Sequence, residues 1–446
     1  MGHGAGAGNV WGFAGYLLVA LAGCHASSGG ACPEGGTGKV VVTFAGLPTG
    51  VAGEIRLVDP AAQQTVVRSG KSLAAAPSGT WYVRRLNSVG AADPRVRTVY
   101  APGVLDSFCV RDGATQNLTV TWIPVPTSHK LWALNDPGSA PLLGFSSEAL
   151  QAASPQAATV SASGGQGRDL AFDREGNAWS FGATNSDATL NRYPAAVFGT
   201  SGPKTPDIKL NVSGLGCAPP ARGLAFDAAG NLWVSVPCKG VVDEFSPASL
   251  AASGTVTPAR SLSIADSAGL AFDVNQNLFV AQPTDGRIWR YDAATLEAAN
   301  ENTRPAAELG AISAETLSAT LRFSPSWIAF DTHGDLWAND PAAHLFYRTP
   351  ANALTGSGVM DAPPATELTV DAAAVLGSFA FDEQGGIWTA FTAGKLARLG
   401  PEQLTTSTGT ANPTVPAVFL ASPDLGAAGN LALYPAPTGT GLYDAL

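Results

Sequence analysis

The sequence predicts an all-β protein: a small N-terminal β-sandwich followed by a six-bladed β-propeller. Three observations predict it. A strand pattern of apolar-Ala-Phe-Asp recurs through the last two thirds of the chain, every 46 to 58 residues. Short strand-like runs separated by turn residues fill residues 38–126. Only 13% of residues are charged, against 51 Gly and 32 Pro, so turns are plentiful and charged helical faces scarce. A chain of 446 residues can hold two domains with cores of their own.

The repeat is the strongest signal. Its first element reads Leu170-Ala171-Phe172-Asp173, Leu224-Ala225-Phe226-Asp227, Leu270-Ala271-Phe272-Asp273, Ile328-Ala329-Phe330-Asp331 and Phe379-Ala380-Phe381-Asp382, with a degenerate copy at Leu431-Ala432-Leu433-Tyr434. A tight turn follows each full copy, and its Asp is placed to bond the turn backbone. The second element carries an aromatic: Trp179, Trp233, Phe279, Trp337, Trp388, and Trp132 for a sixth unit. A third element ends in a turn, and a fourth alternates, as in Arg260-Ser261-Leu262-Ser263-Ile264. Four short strands per unit of about 50 residues make a propeller blade. Residues 131–163 lack a first element, and residues 428–435 supply one. Pairing 428–435 with 131–135 therefore closes a ring of six over residues 127–446; a seventh blade requires that 439–446 add more than a tail.

The N-terminal part reads as β-sandwich over residues 38–126, with runs such as Val40-Val41-Val42-Thr43-Phe44 and Leu118-Thr119-Val120-Thr121-Trp122. Ahead of it, residues 10–21 form an apolar run too short to span a bilayer. The run ends in Leu21-Ala22-Gly23-Cys24. This resembles a lipoprotein signal peptide with its lipobox. The resemblance implies a signal peptide at 1–23, acyl chains on Cys24, a linker at 24–37, and a membrane as partner. His25 rather than Asp points, by the same analogy, to the outer membrane of the cell envelope. If Cys24 is lipidated, four cysteines remain in an oxidising compartment. They fall as Cys32 with Cys109 and Cys217 with Cys238, one pair per domain. Setting Leu224 roughly opposite Trp233 across the hairpin brings Cys217 within two positions of Cys238.

The pattern Asp-x-x-Gly-Asn-Leu-Trp after an Ala-Phe-Asp strand resembles the NHL-repeat, gluconolactonase-like and streptogramin-lyase-like propellers. Pro77-Ser78-Gly79-Thr80-Trp81-Tyr82-Val83 resembles a strand entry of transthyretin-like or Ig-like surface domains. In the propeller families two loop sets line the mouth, one before each first strand and one after each second strand. Carried over, these supply Asn135, Asp136, Arg168, Asp169, Arg222, Gln282, Trp327, Asn339, Asp340 and Asn430 as candidate binding residues. Gluconolactonase-like propellers hold a metal at this mouth. Asn135, Asp136, Asn339 and Asp340, which share the sequence Asn-Asp-Pro, are the oxygen donors that would suit Ca²⁺. Ordinary turn chemistry explains Asn-Asp-Pro equally, and no Glu joins the set.

The net charge of −10 without a Lys/Arg cluster excludes nucleic acid as a partner. The sequence carries no Gly-x-Ser-x-Gly elbow, no His-Glu-x-x-His and no Cys-rich metal motif. No His is set beside a base or nucleophile. The expectation is a non-catalytic binding surface for a protein, peptide or glycan, without a cofactor. The alternatives are a metal-dependent lactonase-like hydrolase with Ca²⁺ at the mouth, or a structural envelope module.

Overall fold

The computed structural model describes residues 32–433 except 48–52, 62, 69, 86–88, 91–97, 103–106, 127–130, 137–141, 147–148, 152–154, 164–168, 174–175, 183–188, 213–221, 297–304, 306, 310–322, 332, 361–364, 371–375, 383–384, 392–393 and 417. The described residues are almost all strand and turn. No helix among them is long and apolar enough to cross a membrane.

Two sheets face each other in the N-terminal part. One runs Ser72–Pro77, Thr37–Ala45, Thr115–Pro126, Thr98–Pro102, Val89–Gly90; the other runs Gln64–Arg68, Glu54–Val58, Gly79–Arg85, Ser107–Val110. Alternation drives the arrangement. In Thr37–Ala45, Val40 and Val42 point inward and their neighbours outward. Ile55, Leu57, Val67, Trp81, Val83, Leu118, Val120 and Trp122 complete the core. Cys32 and Cys109 form a disulfide with Cα atoms 5.7 Å apart. The bond ties the segment before the first strand to the edge strand Ser107–Val110.

The rest is a β-propeller, and six of its sheets lie among the described residues. The inner strands Leu170–Phe172, Arg222–Phe226, Leu270–Phe272, Trp327–Phe330, Phe379–Phe381 and Ala427–Leu433 neighbour one another in a closed cycle. The last pairs antiparallel with Leu131–Asp136, as Leu131↔Leu433, Trp132↔Ala432 and Ala133↔Leu431. The final strand thus completes the sheet that the first propeller strand begins.

The register explains the repeated residues. Each Ala of the first strand sits directly opposite the second-strand aromatic: Ala171↔Trp179, Ala225↔Trp233, Ala271↔Phe279, Ala329↔Trp337 and Ala380↔Trp388. A larger residue there would crowd the indole. That aromatic then packs against the Phe of the next repeat's first strand. Ring centroids lie 6.1 Å apart for Trp132–Phe172, 6.2 Å for Trp179–Phe226, 6.0 Å for Trp233–Phe272, 5.0 Å for Phe279–Phe330 and 6.0 Å for Trp337–Phe381. The closing repeat has Leu433 in place of Phe, and Trp388 shares a core with Leu431 and Leu433. Ala and Phe therefore recur because every interface between sheets is solved the same way. The hairpin register differs by one from the sequence expectation. Leu224 pairs with Val234, and Ala225 faces Trp233, because the turn takes five residues, 227–231, and sets Phe226 opposite Leu232; the irregularity between Arg222 and Leu224 then restores the expected register, with Arg222 opposite Ser235.

The connections after the third strands carry a further repeat. Each makes a short helical or tight turn and buries one apolar side chain: Leu150, Phe198, Leu250, Leu296, Leu354 or Leu404. Several then lie on the outer edge of the preceding sheet. Gly202–Pro203 runs parallel to Val160–Ser163, Gly254–Val256 to Ile208–Val212, and Gly358–Met360 to Ala307–Leu309. Ser201 and Ser253 place their hydroxyls on the backbone N–H groups of Ser161 and Lys209 across these joins. Thr408 bonds the backbone of Glu367 and Thr369 in the same way, and Gln156 donates to Ala421 O. Together these segments form an outer belt.

Candidate functional site: the axial mouth

The loops before the first strands and after the second strands meet at one end of the propeller axis. Asp169, buried just ahead of Leu170–Phe172, is the only acid in the hydrogen-bonded ring described next. Its Oδ1 accepts the backbone N–H of Leu170 at 2.8 Å and Asn430 Nδ2 at 2.9 Å. Its Oδ2 accepts the N–H of Leu224. One carboxylate therefore joins three adjacent inner strands, including the closing one. Burial raises its pKa to about 6, although Asn430 and the backbone N–H groups of Leu170, Leu224 and Gly223 pull it down.

The same kind of link continues round the axis. Ser378 Oγ accepts the N–H of Leu431 at 2.6 Å. Asn339 is fully buried; its Nδ2 donates to Gly377 O at 2.7 Å and its Oδ1 accepts the N–H of Trp327 at 3.0 Å. Gly269 N donates to Ser326 O at 2.8 Å. Between the second and third repeats the contact is a close backbone approach. A Cβ on Gly223 would stand 2.2 Å from Ala268 O, and its φ of +73° suits Gly. Asp169, Asn339, Ser378 and Asn430 therefore form a collar in which side chains of one repeat bond groups of a neighbouring repeat.

Asp340 is spent locally: its Oδ2 accepts Ser324 N at 2.8 Å, and its Oδ1 accepts Ala342 and Ala343 N at 3.0 and 3.1 Å. This is turn chemistry, and it turns the Asn339-Asp340 pair in different directions. Gln282 is buried with Nε2 on Ala265 O at 2.8 Å, while its Oε1 has no partner among the described residues. Asp266, at a φ of +49°, receives the N–H and hydroxyl of Thr284. Arg222 is exposed and Trp327 half-buried. The side chains of Asn135 and Asp136, and Arg168 altogether, lie outside the described residues. Cys238 is disulfide-bonded; Cys217 and Cys24 lie outside the described residues. No cluster of three or more His, Cys, Asp or Glu suited to a metal ion occurs among the described residues.

At the opposite end, the repeated Asp residues are clamps. Asp173, Asp227, Asp331 and Asp382 each accept a turn N–H and the indole N–H of the Trp six residues on, at 3.0–3.1 Å. The sequence reading gave these Asp residues the turn bond but missed the indole. The fixed spacing of Asp and Trp was the signal. The Gly ahead of Leu224 and Leu270 was the corresponding signal for the collar.

No protein-family model matches this chain, and no curated protein does. Solved structures similar to it are propellers of low identity. Virginiamycin B lyase from Staphylococcus aureus is 11% identical, covering 73% of this chain and 79% of that one, with a TM-score of 0.37. A protein of unknown function from Bacteroides caccae is 10% identical over 69% of this chain and 99% of that one, at 0.44. A chain of the nidogen/laminin complex is 11% identical over 68% and 97%, also at 0.44.

Proposed function

We propose that this is a lipid-anchored envelope protein, held by acylated Cys24 in the outer membrane, whose six-bladed propeller presents its mouth face as a non-catalytic binding surface for a protein, peptide or glycan. The observation that carries the binding reading is the collar. Asp169 and Asn430 are turned to each other, and Asn339 and Ser378 to backbone groups, which makes a rigid rim rather than a set of free acids and bases. Above it stand the exposed Arg222 and half-buried Trp327, the residue types that anchor interfaces. A second disulfide between Cys217 and Cys238 would stiffen the same rim. The test is capture from envelope extracts and glycan arrays by the purified chain. Arg222→Ala should weaken capture and leave melting unchanged; Trp327→Ala should also weaken it, with some loss of stability because Trp327 packs against the core around Trp337 and Phe379. One equivalent of tightly held Ca²⁺, with lactone hydrolysis lost on chelation, would overturn the non-catalytic reading. Cys24→Ala should move the chain to the soluble fraction; unchanged mass and membrane retention would overturn the anchor.

A further inference from the structure

Of the five turns at the end of the propeller away from the mouth, two keep one pattern and three depart from it. Residues 173–177 and 227–231 read Asp-x-x-Gly-Asn, with Gly176 and Gly230 at φ of +81° and +84°. In the third repeat Gln276 takes the Gly position at φ +64°, a conformation unfavourable to a residue with a Cβ. In the fourth, Asp335 replaces Asn, giving that turn two acids, Asp331 and Asp335.

The fifth turn differs only in having Gly386 for Asn; the departures in the third and fourth repeats occur where the sandwich meets the propeller. Asn275, beside Gln276, accepts Gln64 Nε2 through its Oδ1 at 2.9 Å. Gln276 Oε1 accepts the N–H of Ala228 at 2.6 Å, which anchors the turn to the one next to it. Arg56 Nη1 donates to Gln64 Oε1 and lies about one van der Waals contact from Gly334, at 3.5 Å from where a Cβ there would stand. Arg56 lies between the core residues Ile55 and Leu57, on the side of its strand that alternation sends outward, yet it is only 7% exposed. The guanidinium thus packs against a turn that carries two acids, of which Asp335 is paired with Arg348 at 3.3 Å.

We infer that the turns of the third and fourth repeats form a dedicated docking surface whose partner is the chain's own N-terminal sandwich. Only four residues separate strand Thr115–Pro126 from strand Leu131–Asp136, so the two units stay at high effective concentration and a small contact suffices to fix them. The docked surface lies at the end away from the mouth. The sandwich therefore acts as a fixed pedestal and leaves the mouth face open; only this last consequence rests on the binding role proposed above.

Spin labels at Ser72→Cys and Ala251→Cys, both exposed positions, report the joint in the full chain. The otherwise unchanged chain should give one narrow distance distribution. Arg56→Ala with Asn275→Ala should broaden it, with circular dichroism and melting of the propeller preserved. Gln64→Ala, a truncation at an exposed rim residue, should broaden it less and serves if the double variant misfolds. A broad distribution before any joint substitution, or a narrow one surviving in both variants, would overturn the inference. Neither readout depends on a ligand.

Discussion

Removing the Asp227 carboxylate should cost more than removing its contact to the backbone alone, because it strands a buried indole. Asp227 Oδ1 accepts Asn231 N at 2.9 Å; Oδ2 accepts Asn231 Nδ2 at 2.8 Å and Trp233 Nε1 at 3.1 Å. Trp233 is 1% exposed, so its N–H has no water to turn to. Hydrogen bonds to a charged group contribute about 1.5–3 kcal/mol each, and an unsatisfied buried donor costs about 1–3 kcal/mol. The three bonds share one turn and do not add, so Asp227→Ala should destabilise by about 3–5 kcal/mol. Trp233→Phe loses one of these bonds and some packing, about 1–3 kcal/mol. In the double variant no indole is left to orphan, and the loss should fall short of the sum by about 1–2 kcal/mol. The third repeat provides the natural control, since Phe279 already stands at the Trp position and Asp273 serves only its turn. Asp273→Ala should show no such coupling with Phe279→Leu. Urea denaturation of the four members of the cycle, read by near-ultraviolet circular dichroism, measures the coupling. Additivity within about 0.3 kcal/mol would refute the clamp.

Burial raises Asp169 and Asp273 each to about pKa 6 from an ordinary 3.8. Because the folded value is the higher, their contribution to stability is fully present below about pH 4 and is lost as pH rises through about 6, up to about 3 kcal/mol each. The melting temperature should therefore rise on acidification from pH 7 to 5, and Asp169→Asn with Asp273→Asn should flatten that rise; an unchanged slope would refute it. Gly223→Ala should destabilise by about 2–4 kcal/mol, since it meets Ala268 O in a positive-φ conformation; wild-type melting would show that the sheets do not approach so closely. Cys32→Ala opens a disulfide spanning 77 residues and should cost the sandwich up to about 4 kcal/mol in the chain-entropy model. Calorimetry should then show the sandwich transition lowered and the propeller transition in place.

The fold was legible where one packing problem is solved many times. Ala, Phe, Asp and Trp recur at fixed positions because the same cross-strand pair, interface and turn clamp recur with them. The mouth was legible as a location but not as chemistry. Asp169 and Asn430 are partners 261 residues apart, and nothing local to either marks the other. Asn339 looked like a free loop oxygen donor until Trp327 N and Gly377 O were found on it. The hairpin register next to the turn in the second repeat differs by one residue because the turn takes five residues, 227–231, and the irregularity at Gly223 brings the register back beyond it. The connections after the third strands escaped notice because their single buried Leu or Phe sits among Ala, Ser and Gly, a composition that otherwise reads as loop.

The outer belt sets an order of assembly. Where a connection lies on the preceding sheet, as Gly202–Pro203, Gly254–Val256 and Gly358–Met360 do, that sheet keeps an open outer edge until the following repeat arrives. The first propeller sheet waits longest at its inner side, since its innermost strand, Ala427–Leu433, comes from the far end of the ring. A chain released without that strand has two unfinished surfaces at once: the bare inner edge of Leu131–Asp136 and the uncovered core around Trp388. Both are strand edges or apolar faces of the kind that pair with other chains. The closing strand thus covers a strand edge and an apolar face in one step.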